Sequence, residues 1–336
     1  MSAFSKVWKA AAIAGGAGVA AMAAVNASIR RNAAEPDDSV MGGESAIYEW
    51  QDGDVHFKVA GEPSDTGPVV MVHGIGAGSS NFTWRKNFVE LAGHARVFAP
   101  DLLGFGLSGK PGGVRYDAEL FAELIGDFLD EVSGPAHLVA ASLSAAYAVQ
   151  VAVRNPELVR SLTVISPTGS ATQSDRPGVT GAAFYGLMNS PVLGTSFYNV
   201  FTSERSIRDF ARLQYFYDRR RVTDRFVAHH YATSHQPGAQ HAISAYLSGY
   251  LNTDVRADFA GLKQPVTMVW GKQDETNPLI NAAALLQLNP RARLQIFDRC
   301  RMSPHEEYPE KFNELMRESI QPRPAKVIDI SSAQGA

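Results

Sequence analysis

Residues 137–148 read HLVAASLSAAYA, an apolar run followed by a serine and a helical pattern of small residues. The run predicts a buried strand, and the residues after it predict a helix. Ser142 stands at the junction, where a tight strand-to-helix turn would present its hydroxyl above the sheet. Such a turn requires small neighbours two positions away, and Ala140 and Ser144 meet that need. The stretch predicts a nucleophile; the plain alternative is that Ser142 is an ordinary helix N-cap.

Strand-like and helix-like segments alternate on both sides of this junction. The β-branched runs PVVMVHG (68–74) and PVTMVWG (265–271) are typical of buried parallel strands, and AELFAELIGDFLDEV (118–132) of an amphipathic helix. The alternation predicts an α/β fold with a doubly wound, mostly parallel sheet. It stops at about residues 170–260, where helical patterns rich in Phe and Tyr predict an inserted helical lid over an apolar cavity.

The beginning of the chain differs from this pattern. Residues 10–29 carry no charge and are flanked by Lys6, Lys9, Arg30 and Arg31. Three interpretations remain open: a membrane anchor, a signal peptide cleaved after the small-residue site at 25–27, or a soluble Ala-rich helix. The first two predict a protein that is associated with the membrane through residues 10–29, or exported.

These patterns predict six regions. They are an N-terminal anchor or signal segment (1–31), a polar linker (32–45), a first core part (46–169), the helical lid (170–260), a second core part (261–321) and a loose tail (322–336).

Composition argues against several classes of protein. The 336 residues include 31 basic and 34 acidic side chains, giving a formal net charge of -3. No nucleic-acid partner is therefore expected. The single cysteine, Cys300, leaves no intrachain disulfide framework or cysteine zinc cluster, and we expect no metal or organic cofactor. The run GFGLSG (104–109) matches a dinucleotide glycine pattern, but the loop residues Pro111 and Gly112 follow where a helix should begin.

Several segments, in order along the chain, resemble the α/β-hydrolase family over roughly residues 46–320. HGIGAG (73–78) resembles the family's loop after strand three, and PDLLGFGLSGKP (100–111) its Asp-x-x-Gly-x-Gly-x-Ser turn. HLVAASLSAA lies at the family's nucleophile turn, and VWGKQDETNP (269–278) resembles its Trp-Gly-x-x-Asp segment.

The resemblance implies a role for several residues. Ser142 takes the place of the nucleophile and Asp274 that of the acid of a catalytic triad. The backbone N–H groups of Ile75 and Leu143 take the place of an oxyanion hole.

The last loop departs from the family pattern Gly-His-x-Pro-x-x-Glu-x-Pro-Glu-x-Phe. Residues 301–312 read RMSPHEEYPEKF, which puts Met302 at the position of the catalytic histidine. A thioether cannot accept a proton at neutral pH, and serine needs an adjacent base. His305, three residues later, is the candidate replacement. The alternative for His305 is a surface position in the first turn of a helix, and histidines of the lid could also supply a base.

Two functions follow. The first is an esterase-like or lipase-like serine hydrolase with a non-standard base, acting on an apolar ester or acyl compound. The alternative is a non-catalytic protein of the same fold that binds a lipid-like ligand or serves as a scaffold. An aspartate-nucleophile dehalogenase or epoxide hydrolase is disfavoured, because the turn carries a serine.

Overall fold

The computed structural model describes residues 3–321, with side chains from residue 18 onward. Within this part of the chain, the strands are β1 (Glu44–Trp50), β2 (Gly53–Ala60), β3 (Val69–Val72), β4 (Val97–Pro100), β5 (Ala136–Ala141), β6 (Val159–Ile165), β7 (Val266–Gly271) and β8 (Arg293–Phe297). They form one sheet in the order β1-β2-β4-β3-β5-β6-β7-β8. The β1–β2 and β2–β4 pairs are antiparallel, and the others are parallel. The prediction of a mostly parallel α/β sheet is confirmed.

Helices connect and cover the strands. They are α1 (Ala3–Asn32), α2 (Phe88–Ala92), α3 (Ala118–Phe128), α4 (Leu143–Arg154), α5 (Val179–Met188), α6 (Leu193–Phe201), α7 (Glu204–Phe210), α8 (Asp224–Ser234), α9 (Gln240–Leu247), α10 (Arg256–Gly261), α11 (Ile280–Leu288), α12 (Pro304–Glu307) and α13 (Pro309–Ile320). The helices α5–α9, with short helical turns between them, follow β6 and precede α10 and β7. We call α5–α9 the inserted helices; they occupy the stretch where the sequence predicts a lid.

The core lies on both faces of the sheet. Along β3, Val70 and Val72 pack into a cluster with α3 and α4, whereas Val69 and Met71 pack into a second cluster with α2 and α13. Successive side chains of a strand point to opposite faces, so a strand covered on both faces must be apolar throughout. This explains the uninterrupted apolar runs in the sequence.

The second half of α1 packs against an inserted helix. Asn26 donates from Nδ2 to Val192 O at 3.1 Å and to Ser196 Oγ at 3.0 Å, and its Oδ1 accepts from Asn199 Nδ2 at 2.9 Å. In the part of the chain that the structure describes, no helix is long and apolar enough to cross a membrane. The predicted membrane segment at 10–29 therefore gains no support, and the predicted loose tail at 322–336 lies outside the described residues.

Candidate active site

Ser142 occupies a strained turn between β5 and α4. Its backbone has φ 54° and ψ −126°, in the positive-φ region that side-chain-bearing residues rarely adopt. The Ser142 side chain accepts no hydrogen bond from the first turn of α4, so the interpretation of Ser142 as an ordinary N-cap is wrong. The residue remains half-buried rather than sealed into the core. A strained, partly accessible serine at this junction has the geometry of a nucleophile turn.

The structure explains why the residues two positions on either side of Ser142 are small. Ala140 and Ser144 are completely buried. The Ser144 hydroxyl donates to the carbonyl oxygen of His73 at 2.7 Å, which ties the turn to the loop after β3. In that loop, a Cβ added to Gly74 would lie 3.3 Å from the Ser142 Cβ. Ser144 is therefore a structural link as well as a small residue, a role that the sequence pattern did not reveal.

Neither predicted oxyanion donor has a hydrogen-bond acceptor among the described residues. Leu143 is the first residue of α4, so its N–H has no acceptor within the helix. Ile75 lies in the loop after β3, and neither amide donates to a backbone carbonyl of the described residues outside the helices and strands. Leu143 follows Ser142 directly, and Ile75 follows Gly74, which lies against the Ser142 side chain. This placement is compatible with the predicted role as oxyanion donors.

A buried histidine holds the loop that carries Ile75. His73 Nδ1 donates to Gly74 O at 2.8 Å, and its Nε2 accepts from the Leu102 N–H at 3.0 Å. These contacts fix the Nδ1-protonated neutral tautomer. Burial lowers the pKa of His73, although the nearby Asp101 carboxylate opposes that shift. His73 thus has a positioning role, and Asp101 in turn binds the backbone N–H groups of Asn81 and Leu107.

Asp274 follows β7 and is only 4% exposed. Its Oδ1 accepts from the Thr276 N–H at 3.0 Å, the Thr276 hydroxyl at 2.7 Å and the Asn277 N–H at 3.0 Å. Its Oδ2 is also buried and has no hydrogen-bond partner among the described residues. One oxygen of the carboxylate is therefore fixed by three hydrogen bonds, and the other makes none with the described residues.

A chain of hydrogen bonds links the Asp274 loop to the serine turn. Asn277 donates from Nδ2 to Ser166 O at 3.1 Å and to Pro167 O at 2.8 Å. The next residue, Thr168, donates its N–H to Ser142 O at 3.3 Å. The structure therefore joins the candidate nucleophile and the candidate acid through the end of β6.

The loop that carries Met302 is attached to the Asp274 loop. The Gln273 N–H donates to Cys300 O at 2.9 Å, and Gln273 Oε1 accepts from the Cys300 N–H at 3.0 Å. Arg301 Nη2 binds Glu275 Oε1 at 3.1 Å. Met302 follows directly and is partly exposed. A thioether therefore stands beside the loop of the candidate acid, at the position where the sequence pattern predicts a histidine.

His305 is buried, and one of its ring nitrogens has a partner other than Ser142. The ring is 2% exposed, so the alternative of a surface position is wrong. Its Nε2 lies 2.8 Å from Thr83 Oγ1, and the Thr83 hydroxyl donates to Glu306 Oε1 at 3.1 Å. Since the Thr83 hydrogen is used by Glu306, His305 Nε2 must itself donate. The unprotonated nitrogen is then Nδ1, which is buried and has no partner among the described residues, and no hydrogen bond joins His305 to Ser142 in that part of the chain.

The other contacts of His305 explain its state. Its ring packs 4.6 Å from that of Trp84, centroid to centroid. Burial lowers the pKa of His305 to about 4, which keeps the imidazole neutral near pH 7 even though Glu306 opposes the shift. Tyr215, which lies between the inserted helices α7 and α8, also donates to Glu306, at 2.8 Å. Sequence reasoning missed Thr83 and Tyr215, because nothing in their local patterns indicates a contact with α12.

The histidines of the inserted helices have partners of their own. His229 Nε2 lies 2.8 Å from Ser80 Oγ, and His230 Nδ1 donates to Phe226 O at 2.9 Å. Burial lowers the pKa of His229 to about 3 and that of His230 to about 4. A cavity of about 420 Å³ lies between α1, α6 and the turn before α9. Ser142 does not line it.

Comparison with known proteins identifies the family. The family model described as alpha/beta hydrolase fold matches residues 67–308, well over half of the chain. This chain belongs to the α/β-hydrolase family.

Several curated relatives are hydrolases. The chain is 29% identical over 243 residues to a 2-hydroxy-6-oxo-2,4-heptadienoate hydrolase of Pseudomonas putida, covering 69% of this chain and 81% of that protein. It is 30% identical over 244 residues to a 2-hydroxymuconate semialdehyde hydrolase of a Pseudomonas species, covering 69% and 79%. A pimeloyl-[acyl-carrier protein] methyl ester esterase of Aeromonas hydrophila is 26% identical, covering 79% of this chain and all 100% of the esterase.

Solved structures agree with this assignment. A meta-cleavage product hydrolase from Pseudomonas fluorescens superposes with a TM-score of 0.67 at 25% identity, covering 83% of this chain and 97% of that one. A carboxylesterase from Bacillus subtilis has the same fold, with a TM-score of 0.63 at 19% identity over 88% and 96% of the two chains.

Proposed function

We propose that the protein is a serine hydrolase that acts on a small apolar ester or acyl compound. The observation that carries the proposal is the Ser142 turn, where a strained serine stands beside two unpaired backbone N–H groups. A buried serine with a purely structural role needs neither the strain nor the free donors. Hydrolases and an esterase among the relatives support the same reaction class.

In this proposal Ser142 Oγ attacks the carbonyl carbon, and the Ile75 and Leu143 amides stabilise the resulting oxyanion. Asp274 orients and stabilises the group that takes the serine proton, through its unpartnered Oδ2. That group is not residue 302, because Met302 cannot accept a proton.

His305 remains a candidate for this non-standard base. To act, the ring would have to move so that its unprotonated Nδ1, which is buried without a partner among the described residues, reaches Ser142. Its low pKa favours the neutral form that a base requires, while its present hydrogen bond opposes the movement.

A non-catalytic binding protein is the second candidate function. The specific observation in its favour is that Met302 replaces the usual base while His305 is already committed to Thr83. In that case the Ser142 turn would be an inherited structure, and the site would hold a lipid-like ligand without turnover.

Hydrolysis of p-nitrophenyl butyrate by the full chain tests the proposal. The rate should exceed background and be lost in Ser142→Ala, while Ser319→Ala, a serine change on α13, should retain it. If His305 is the base, His305→Gln should lower kcat by about 10²-fold or more. Equal rates in the unmodified protein and Ser142→Ala would reject the proposal and favour ligand binding.

A further inference from the structure

The outward sides of α5 and α6 are apolar, whereas the solvent-facing side of a surface helix is ordinarily polar. On α6, every exposed residue is a large apolar one: Leu193, Phe197, Val200 and Phe201. On α5, the exposed residues besides Thr180 have the same helical spacing and are Val179, Ala182, Ala183, Gly186 and Leu187. Residues three, four, seven and eight positions apart lie on one side of a helix. Each helix therefore presents an apolar side to solvent.

The two apolar sides adjoin. The ring of Phe197 on α6 packs edge-on against the ring of Phe184 on α5, with 6.0 Å between the ring centroids. The N–H of Gly194, near the start of α6, donates to Ser190 O, just after the end of α5, at 3.1 Å. The exposed residues of both helices thus form one surface, which we call the α5–α6 face.

The α5–α6 face belongs to a segment without charge. Residues 177–203 contain no Asp, Glu, Lys, Arg or His, and the nearest charged residues along the chain are Arg176 and Glu204. An exposed apolar surface of this kind marks a site that binds either another protein or a membrane. Protein interfaces are usually bordered by a polar rim, and the two helices of this face supply no charged residue for one.

The neighbouring helix α1 favours a membrane as the partner. Its residues 10–29 are uncharged, and its next two residues, Arg30 and Arg31, are exposed. Arg30 lines a cavity together with Thr195 and Asn199 of α6, so this basic end of α1 lies beside α6. Apolar helix faces next to arginines are typical of helices that lie in a membrane interface, where arginine meets anionic headgroups.

We propose that the α5–α6 face docks on the surface of a membrane that contains anionic lipids. The two helices lie in the plane of the interface and do not cross the bilayer. Their exposed aliphatic and aromatic side chains enter the boundary between headgroups and acyl chains, and Arg30 and Arg31 bind the headgroups. This inference does not depend on catalysis by Ser142.

A fluorophore on the α5–α6 face tests the contact directly in the full chain. The single cysteine, Cys300, is completely buried, so a cysteine placed on the surface can be labelled selectively. Val179→Cys and Val200→Cys place a nitrobenzoxadiazole label on the face, and Val89→Cys, 58% exposed on α2, is the control. With vesicles of phosphatidylcholine and phosphatidylglycerol, emission should rise several-fold and shift to the blue at 179 and 200, and stay unchanged at 89.

Sedimentation with the same vesicles measures what the apolar side chains contribute. Val200→Glu should weaken binding about tenfold or more, the factor that corresponds to burial of one valine side chain. Val200→Leu should keep binding, and Val89→Glu is the matched control. Val200 is 70% exposed, so the fold should tolerate the change, which circular dichroism checks. Val179→Glu is a second variant, because an acidic residue in the first turn of α5 favours the helix.

Two outcomes would overturn the inference. One is a label response at 179 and 200 that is absent or no larger than at 89. The other is vesicle binding that Val179→Glu and Val200→Glu leave unchanged, because another part of the chain would then hold the membrane. A dimer seen by light scattering that Val200→Glu dissociates, without any vesicle response, would assign the face to a second copy of the chain instead.

Discussion

At the scale of single residues, Met302 is the departure that most affects chemistry. It stands beside the loop of Asp274, whose Oδ2 is buried and has no partner in the described chain. If Asp274 is the acid of a triad, as we propose, its carboxylate is in place and the histidine that it would orient is absent. A single substitution can test whether the remaining parts of the site are intact.

Met302→His should create a working triad. We expect kcat/KM for p-nitrophenyl butyrate to rise by about 10²-fold or more, since a positioned base contributes roughly that factor. The rate should fall as pH drops below about 6.5, where an ordinary histidine becomes protonated. Adding Asp274→Asn should remove most of the gain. An unchanged rate in a folded Met302→His protein would show that position 302 does not face Ser142.

His305 should make stability depend on pH. Its pKa is about 4 in the folded protein because of burial, below the ordinary value of 6.5. The unfolded chain therefore binds the extra proton first, so this stabilising contribution is complete above pH 6.5 and is lost as pH falls toward 4. One such group gives a slope of about 1.4 kcal/mol per pH unit in that window. Urea unfolding from pH 7 to 4.5 should show a smaller slope for His305→Gln.

His229 and His230 have lowered pKa values as well, so the slope should shrink in His305→Gln rather than vanish. An identical slope in the two proteins would contradict the burial of a neutral His305.

At the scale of elements, α12 joins the connection between the inserted helices α7 and α8 to the core. Glu306 accepts from Tyr215 at 2.8 Å, and Glu307 accepts from the Tyr217 and Asp218 N–H groups at 3.0 and 3.2 Å. Arg85, in the segment after β3, pairs with Glu306. The segment just after Met302 thus sets how the inserted helices sit on the sheet.

Tyr215→Phe should lower the free energy of unfolding by about 1–3 kcal/mol, because it removes a partly buried hydrogen bond to a charged group. Tyr217→Phe is the matched control, since the Tyr217 side chain is exposed and only its backbone binds Glu307. Urea denaturation of the two variants makes the comparison. Equal losses of stability would show that the hydroxyl contact of Tyr215 contributes nothing specific.

The sequence predicted elements better than contacts. Apolar runs that alternate with helical patterns identified the strands, and a serine between small residues identified the turn. Both signals are local in the sequence. The burial of His305 was not predictable, since it depends on Thr83 and Trp84, which lie far away along the chain. The spacing of Asp274 indicated a triad acid, but only the structure shows that Thr276 and Asn277 occupy one oxygen and leave the other free.

At the scale of the whole molecule, α1 is fastened to the inserted helices. Asn26 provides the specific contacts, through hydrogen bonds to Val192, Ser196 and Asn199. The sequence suggested a membrane anchor or signal segment here, and a contact with α6 could not be read from an uncharged run of alanine and glycine.

Asn26→Ala should loosen α1 from α6. Trypsin should then cut faster after Arg30 and Arg31, because local detachment exposes that end of the helix. Asn32→Ala is the control, since the one partner of the Asn32 side chain among the described residues is Ser28, within α1 itself. Cleavage rates followed by mass spectrometry provide the readout, and equal rates in the two variants would contradict the packing of α1 on α6.

The central claim is that Ser142 is an active nucleophile. Its most direct test is the intact mass of the full chain after treatment with a fluorophosphonate, with Ser142→Ala and Met302→His beside it. The account predicts one adduct on the unmodified protein, none on Ser142→Ala and one, formed faster, on Met302→His. A rapid adduct on Met302→His with none on the unmodified protein would contradict the account, because the site would then be accessible but inactive.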